Sequence, residues 1–181
     1  MSIVTLAEAK RQLKLDPSDT GDDDEIQSYV DAITGVVEDY KKEIIEPREI
    51  REDLAPCGRR RFRLWSVPVI SLVSIATFDG ATTWDVSTMR VNADTGLVRV
   101  LSGPPVSGDV EAVYMAGYET VPDRYKRGAL VILQHTWETQ RGKGGPVRGG
   151  VIGPEEVHPR FFYSIPRKAL EWLGAPRPVI G

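Results

Sequence analysis

Few side chains in this sequence have the type and spacing for covalent or metal chemistry. The two histidines are His135 and His158. His135 falls inside an apolar-periodic stretch, where a bonded core or interface histidine is expected in place of a catalytic base. His158 stands beside Pro159 in a glycine- and proline-rich segment, a poor place to hold a proton-transfer geometry. The single cysteine, Cys57, excludes an internal disulfide and leaves too few ligands for a structural zinc site. It reads as a structural or incidental thiol. Asp22-Asp23-Asp24-Glu25 could ligate calcium or magnesium, but the spacing of a curved calcium-binding loop is absent. The run reads instead as negative charge placed at a helix start. No glycine-rich loop ends in lysine and serine or threonine, and no Gly-x-Ser-x-Gly elbow occurs. The sequence therefore gives no catalytic residue, no metal ligand set and no cofactor.

Basic side chains are the remaining candidates. Arg59-Arg60-Arg61-x-Arg63 is the densest cluster. It could touch phosphates in a salt-sensitive way, as a nucleic-acid-binding module would. The plainer reading is an edge strand protected by charge, with its arginines facing solvent. Arg141, Lys143 and Arg148 lie in a glycine-rich stretch. Such charges suit a loop near DNA in a channel, and equally a loop that only stays soluble.

The elements that must position these residues follow from period and punctuation. Thr5-Leu6-Ala7-Glu8 is a capping box, opening a helix over 5–15 that must stop near Asp16-Pro17. Ile26, Tyr29, Val30, Ile33, Val37, Tyr40 and Ile44 recur at three- and four-residue steps, which predicts a helix over 22–46 ended by Pro47. From Arg59 the period becomes two. Arg61–Trp65, Val67–Ile75, Leu97–Leu101 and Val110–Met115 read as strands, with Asp79-Gly80 and Asp94-Thr95-Gly96 as turns. Pro122 opens a second long helix over 122–141, with Tyr125, Ala129, Ile132, Leu133, Thr136 and Trp137 facing inward. Residues 142–164 are rich in glycine and proline and predict a mobile loop. A short helix from Lys168 to Leu173 follows, stopped by Gly174, and then an extended tail.

These elements predict an α+β fold: a helical bundle of about three to four helices with an inserted small antiparallel β-sheet, plus a flexible C-terminal loop and arm. The predicted division is one domain over 1–141, with a β-rich insertion over 59–118, and a separate 142–181 segment. The start of the chain lacks a signal-peptide layout, and no apolar run approaches the roughly 20 residues that span a bilayer. At 41% apolar and 27% charged, the composition is that of a soluble globular protein. The net charge of −3 hides an asymmetry: residues 1–55 carry 7 basic and 15 acidic side chains, a balance of −8, and the remainder carries 16 and 11, a balance of +5. A solvated scatter and a polarity suited to stacking between partners both fit this division.

The order of the motifs resembles the head–tail connector (adaptor, head-completion) family of long-tailed bacteriophages. Val4-Thr5-Leu6-Ala7-Glu8-Ala9-Lys10-x-x-Leu13-Lys14-Leu15 is similar to that family's opening. So are the acidic Asp22–Glu25 start and the helix through Tyr40. Pro68–Ile75 is similar to its strand signature. Val113-Tyr114-Met115-Ala116-Gly117-Tyr118-x-x-Val121-Pro122 is the most specific piece. The resemblance covers roughly residues 3 to 141. A long sheet region and the 142–181 extension depart from the shorter members.

The resemblance implies a structural, non-enzymatic protein of the virion neck, assembled in the host cytoplasm. It implies a homo-oligomeric ring, a dodecamer in the virion, beneath a portal protein. A head-closure (stopper) or tail-completion protein would lie below, and genomic DNA would pass through the lumen without sequence specificity. No membrane is involved. On this reading Phe161, Phe162, Tyr163, Trp172 and the Arg177-Pro178-Val179-Ile180 arm are expected to contact the portal or a neighbouring subunit. Arg141, Lys143 and Arg148 are expected near the DNA.

Overall fold

The computed structural model describes residues 2–140 and 165–177. The chain forms two compact units. One is helical, built from Met1–Lys41 with Pro122–Gly181; the other is β-rich, Lys42–Val121.

The helical unit contains α1 (Leu6–Leu13), α2 (Asp23–Lys41), α3 (Asp123–Gln140) and α4 (Arg167–Leu173). The capping box opens α1 as its residues predict. The Glu8 amide donates to Thr5 Oγ1 at 3.2 Å, and the Thr5 amide donates to the Glu8 carboxylate at 2.8 Å. The helix ends two residues early because Lys14 turns left-handed, with φ 57°. On α2 the apolar stripe buries Ile26, Val30, Ile33 and Val37. This helix also stops short of Pro47: Lys42 takes φ 56°, and the chain leaves for the β-rich unit. Ile44, the last residue of the predicted stripe, instead packs on the sheet core, with its amide donating to Val67 O at 2.8 Å.

The inward face of α3 is Tyr125, Gly128, Ala129, Ile132, Leu133 and Trp137. The Trp137 ring meets Tyr29 of α2 edge to face at 6.3 Å. Gly128 is where α4 comes closest. A Cβ there would lie 2.6 Å from Leu173 Cδ2, so only glycine admits the fully buried Leu173 side chain. Burying a leucine contributes about 1.5–3 kcal/mol.

The β-rich unit holds two antiparallel sheets. The first has the order β1 (Arg48–Leu54), β7 (Val110–Ala116), β3 (Val69–Thr77), β4 (Thr83–Trp84). The second has the order β2 (Arg61–Arg63), β6 (Leu97–Val100), β5 (Met89–Val91). Strand β1 is absent from the sequence reading, which begins the β region at Arg59. Its residues Arg48-Glu49-Ile50-Arg51-Glu52-Asp53-Leu54 are mostly charged, as suits a protected edge. Arg51 reaches Glu49 at 3.2 Å and Glu111 of β7 at 3.9 Å. Central strand β7 is buried at five of its seven positions. The pairing of β3 with β7 is interrupted by register shifts at Val69/Ser71 and Leu72/Ser74. Residues from both sheets, among them Val98, Val100, Ile75, Val110, Ala112 and Tyr114, form one apolar cluster.

The corner after β7 is held tightly. Gly117 has φ 125°, and a Cβ there would sit 2.7 Å from Pro47. Its amide donates to Pro68 O at 2.8 Å. The Tyr118 amide donates to Ile45 O at 3.2 Å, and the Tyr118 hydroxyl donates to the buried Glu43 carboxylate at 2.7 Å. No residue with a side chain fits both that dihedral and that approach.

Candidate interaction surfaces

Burial in the helical unit places two lysines inside. Lys10 Nζ donates to Asp19 O at 2.7 Å and pairs with Asp23 at 2.5 Å, so one member of the acidic run is spent inside the chain. Among the described residues no group of three or more His, Cys, Asp or Glu side chains could hold a metal ion. Lys41 Nζ donates to Leu173 O at 3.0 Å and Ala175 O at 2.6 Å, with the Tyr125 ring 5.4 Å away. The Tyr40 hydroxyl donates to Gly174 O at 3.1 Å, and the Arg177 amide donates to Lys41 O at 3.1 Å. The C-terminal end of α4 and the first residues of the tail are therefore held on the end of α2.

Of the residues expected at a partner interface, Trp172 is 46% exposed on α4, and Arg177 is half-buried beside Lys41. Trp172 shares a shallow groove of about 270 Å³ with Gln12, Arg127, Leu130, Val131 and Lys168. Phe161, Phe162, Tyr163, Pro178, Val179 and Ile180 lie outside the described residues, as do His158 and the three basic candidates Arg141, Lys143 and Arg148. His135 is half-buried on α3. Cys57 is exposed. A second groove, of about 330 Å³ between α1 and α3, is lined by Glu8, Arg11, Gln12, Asp123, Lys126, Arg127 and Leu130. Opposite charges there meet one another, Lys126 reaching Glu8 at 3.7 Å.

In the β-rich unit, burial raises the Tyr114 hydroxyl far above the ordinary tyrosine range, and the Glu52 carboxylate that accepts its hydrogen bond adds to the effect. Glu52 also accepts from the Trp65 amide at 3.1 Å, and Tyr114 Oη accepts from the Ser66 amide at 3.1 Å. This network fixes the backbone of the β2–β3 connection while leaving the Trp65 side chain 62% exposed. Nothing in the alternation of β2 marks Glu52 as the partner; strand β1 had to be seen first.

The arginine cluster falls on and before edge strand β2. Arg59 bridges to Val106 through the main chain, and the Arg60 guanidinium donates to Gly103 O at 2.9 Å. Arg61 and Arg63 occupy the outward positions of the strand. Pairing adds two arginines that the sequence reading did not single out: Arg61 stands opposite Arg99, and Arg99 opposite Arg90. The Asp94-Thr95-Gly96 turn could have paired Arg90 with Arg99, but only the register of β2 on β6 brings Arg61 beside them.

Among the described residues, four helices interrupted by a pair of antiparallel sheets make an α+β fold that recurs in solved structures of particle necks. No protein-family model and no curated protein matches the sequence. The chain is similar to one in the neck of an empty gene transfer agent particle computed with C6 symmetry, with a TM-score of 0.64 and 17% identity over 99% of this chain and 92% of that one. A chain in the virion of a native gene transfer agent particle matches with a TM-score of 0.64, 18% identity and the same coverage. One in the neck of the native particle computed with C12 symmetry matches with a TM-score of 0.57 and 16% identity, over 100% of this chain and 97% of that one. Among the described residues no helix is long and apolar enough to cross a membrane.

Proposed function

We propose that this protein is a structural, non-enzymatic neck component of a phage-like particle. In this reading it forms an adaptor ring that docks beneath the portal, links the DNA-filled head to the tail or stopper protein, and lets DNA pass through its lumen. The observation that carries the reading is the fold likeness itself, which extends over 99% of the chain and so includes the β-rich insertion as well as the helices. The C6 and C12 symmetries of the neck structures support a ring, and twelve copies would match a twelve-fold portal.

The end of the chain is the portal- or neighbour-facing part in this proposal. Trp172 offers a large exposed ring on a short helix that Lys41 holds in place, the kind of rigid aromatic anchor that concentrates binding energy. The test is co-assembly with purified portal, read as particle mass by native mass spectrometry. Wild type should add a ring of mass to the portal. A chain carrying Trp172→Ala and lacking residues 178–181, which keeps the Arg177–Lys41 contact, should fold and fail to add. Absence of any wild-type complex would refute the adaptor reading. Normal addition by the variant would refute the assigned contact.

A further inference from the structure

We infer that the outer face of the β2–β6–β5 sheet binds the phosphate backbone of duplex DNA. Directly opposed residues on neighbouring strands put their side chains on one face, with strands about 4.8 Å apart. The pairs Arg61–Arg99 and Arg99–Arg90 therefore set three exposed guanidinium groups in a row across the sheet. Arg63, two residues beyond Arg61, shares that face and pairs with Leu97. The other face turns Val98 and Val100 to the core. The strands' outward positions thus carry four arginines, one leucine and no carboxylate.

Like charges set directly opposite one another destabilise a sheet. None of these four guanidinium groups makes a salt bridge or hydrogen bond with a described residue, whereas Arg51 on the other sheet has Glu49 and Glu111. An external polyanion would relieve the repulsion. The outward strand positions offer no aromatic ring, so they present neither a stacking platform for single strands nor a protein hot spot. Evenly stepped charge without base-reading groups suits duplex phosphates. With a net charge of −3 the whole chain does not attract DNA, so binding depends on this local field. The inference deepens the adaptor reading, on which it rests for the identity of the DNA as the genome in transit.

The test is a fluorescence-anisotropy titration of a short mixed-sequence duplex with the full chain across a salt series. Four phosphate contacts predict a slope of about −3.6 for log K against log salt, so quadrupling the salt weakens binding about 150-fold. Arg99→Gln should take about 0.9 from that slope. It should also leave the melting temperature unchanged or higher, because it removes the centre of a like-charged row. Reduced binding in a variant that is no less stable then reports the contact and not unfolding. Three results would overturn the inference: no binding at the lowest salt, a slope untouched by Arg61→Gln and Arg99→Gln, or equal displacement by polyglutamate of matched charge, which would indicate an acidic protein instead. Portal co-assembly is measured without DNA, so either test can fail while the other succeeds.

Discussion

In the helical unit Lys10 and Lys41 are 5% and 4% exposed, and their ammonium groups end on main-chain carbonyls and a carboxylate. In the β-rich unit Arg61, Arg90 and Arg99 stand exposed and face one another. The same sign of charge serves opposite ends. A buried ammonium that donates to several carbonyls ties distant segments together, because withdrawing it leaves those acceptors without a donor. An exposed row of guanidinium groups ties no described residue to another and carries a repulsive cost. The first arrangement is scaffold. The second leaves its charge open to solvent and to whatever anion meets that face.

The largest effect that would sharpen this contrast is on the buried side. Lys41→Ala removes the donor shared by Leu173 O and Ala175 O and is expected to cost about 3 kcal/mol. Amide exchange should show α4 losing protection before α1, and uniform loss would break the tether argument. Next comes the β-rich unit's own lock. Gly117→Ala forces a side chain into φ 125° against Pro47 and should cost about 2 kcal/mol in chemical denaturation. If it costs nothing, the corner is not rigid. The smallest of the three is Thr5→Ala, about 1 kcal/mol at neutral pH from the lost cap. The Thr5 amide and hydroxyl, and to a lesser degree Lys126, hold the Glu8 carboxyl below its ordinary value of 4.5. A depressed carboxyl stabilises the fold above its unfolded value and stops doing so as protons return. Thr5→Ala keeps the residue-5 amide on that carboxylate, so the pH test is Glu8→Gln: the gap between wild type and Glu8→Gln should narrow as the pH falls below 4.5, and a gap unchanged in acid would assign the effect to a group other than the ionised carboxylate.

What could be read from the residues alone divides along the same line. Local chemistry was legible. The capping box, the α2 stripe, the Gly174 stop and most of the inward face of α3 depend on neighbours within a few positions; on α3, Thr136 is only half-buried and Gly128 is buried in addition. The far end of α2 was overread because Ile44 continues the helical period by coincidence and is used by a sheet instead. Strand β1 was missed because its charges are those of an edge, and edge strands hide the alternation that marks a strand. Arg59–Arg63 was visible as a run, but its continuation to Arg99, and through Arg99 to Arg90, depends on the distant pairing of β2 with β6. Trp65 and the Glu52–Tyr114 contact behind it were hidden for the same reason.

The hydrogen bond from Tyr118 to Ile45 has a consequence for the gene as well as for the fold. The chain leaves the helices after Lys41 and returns at Pro122, and the outgoing and returning backbones touch within the β-rich unit itself. A segment whose two ends meet can be gained, lost or exchanged as a cassette, with a short turn left in its place. The helical frame and the sheet it carries are thus free to evolve on different schedules.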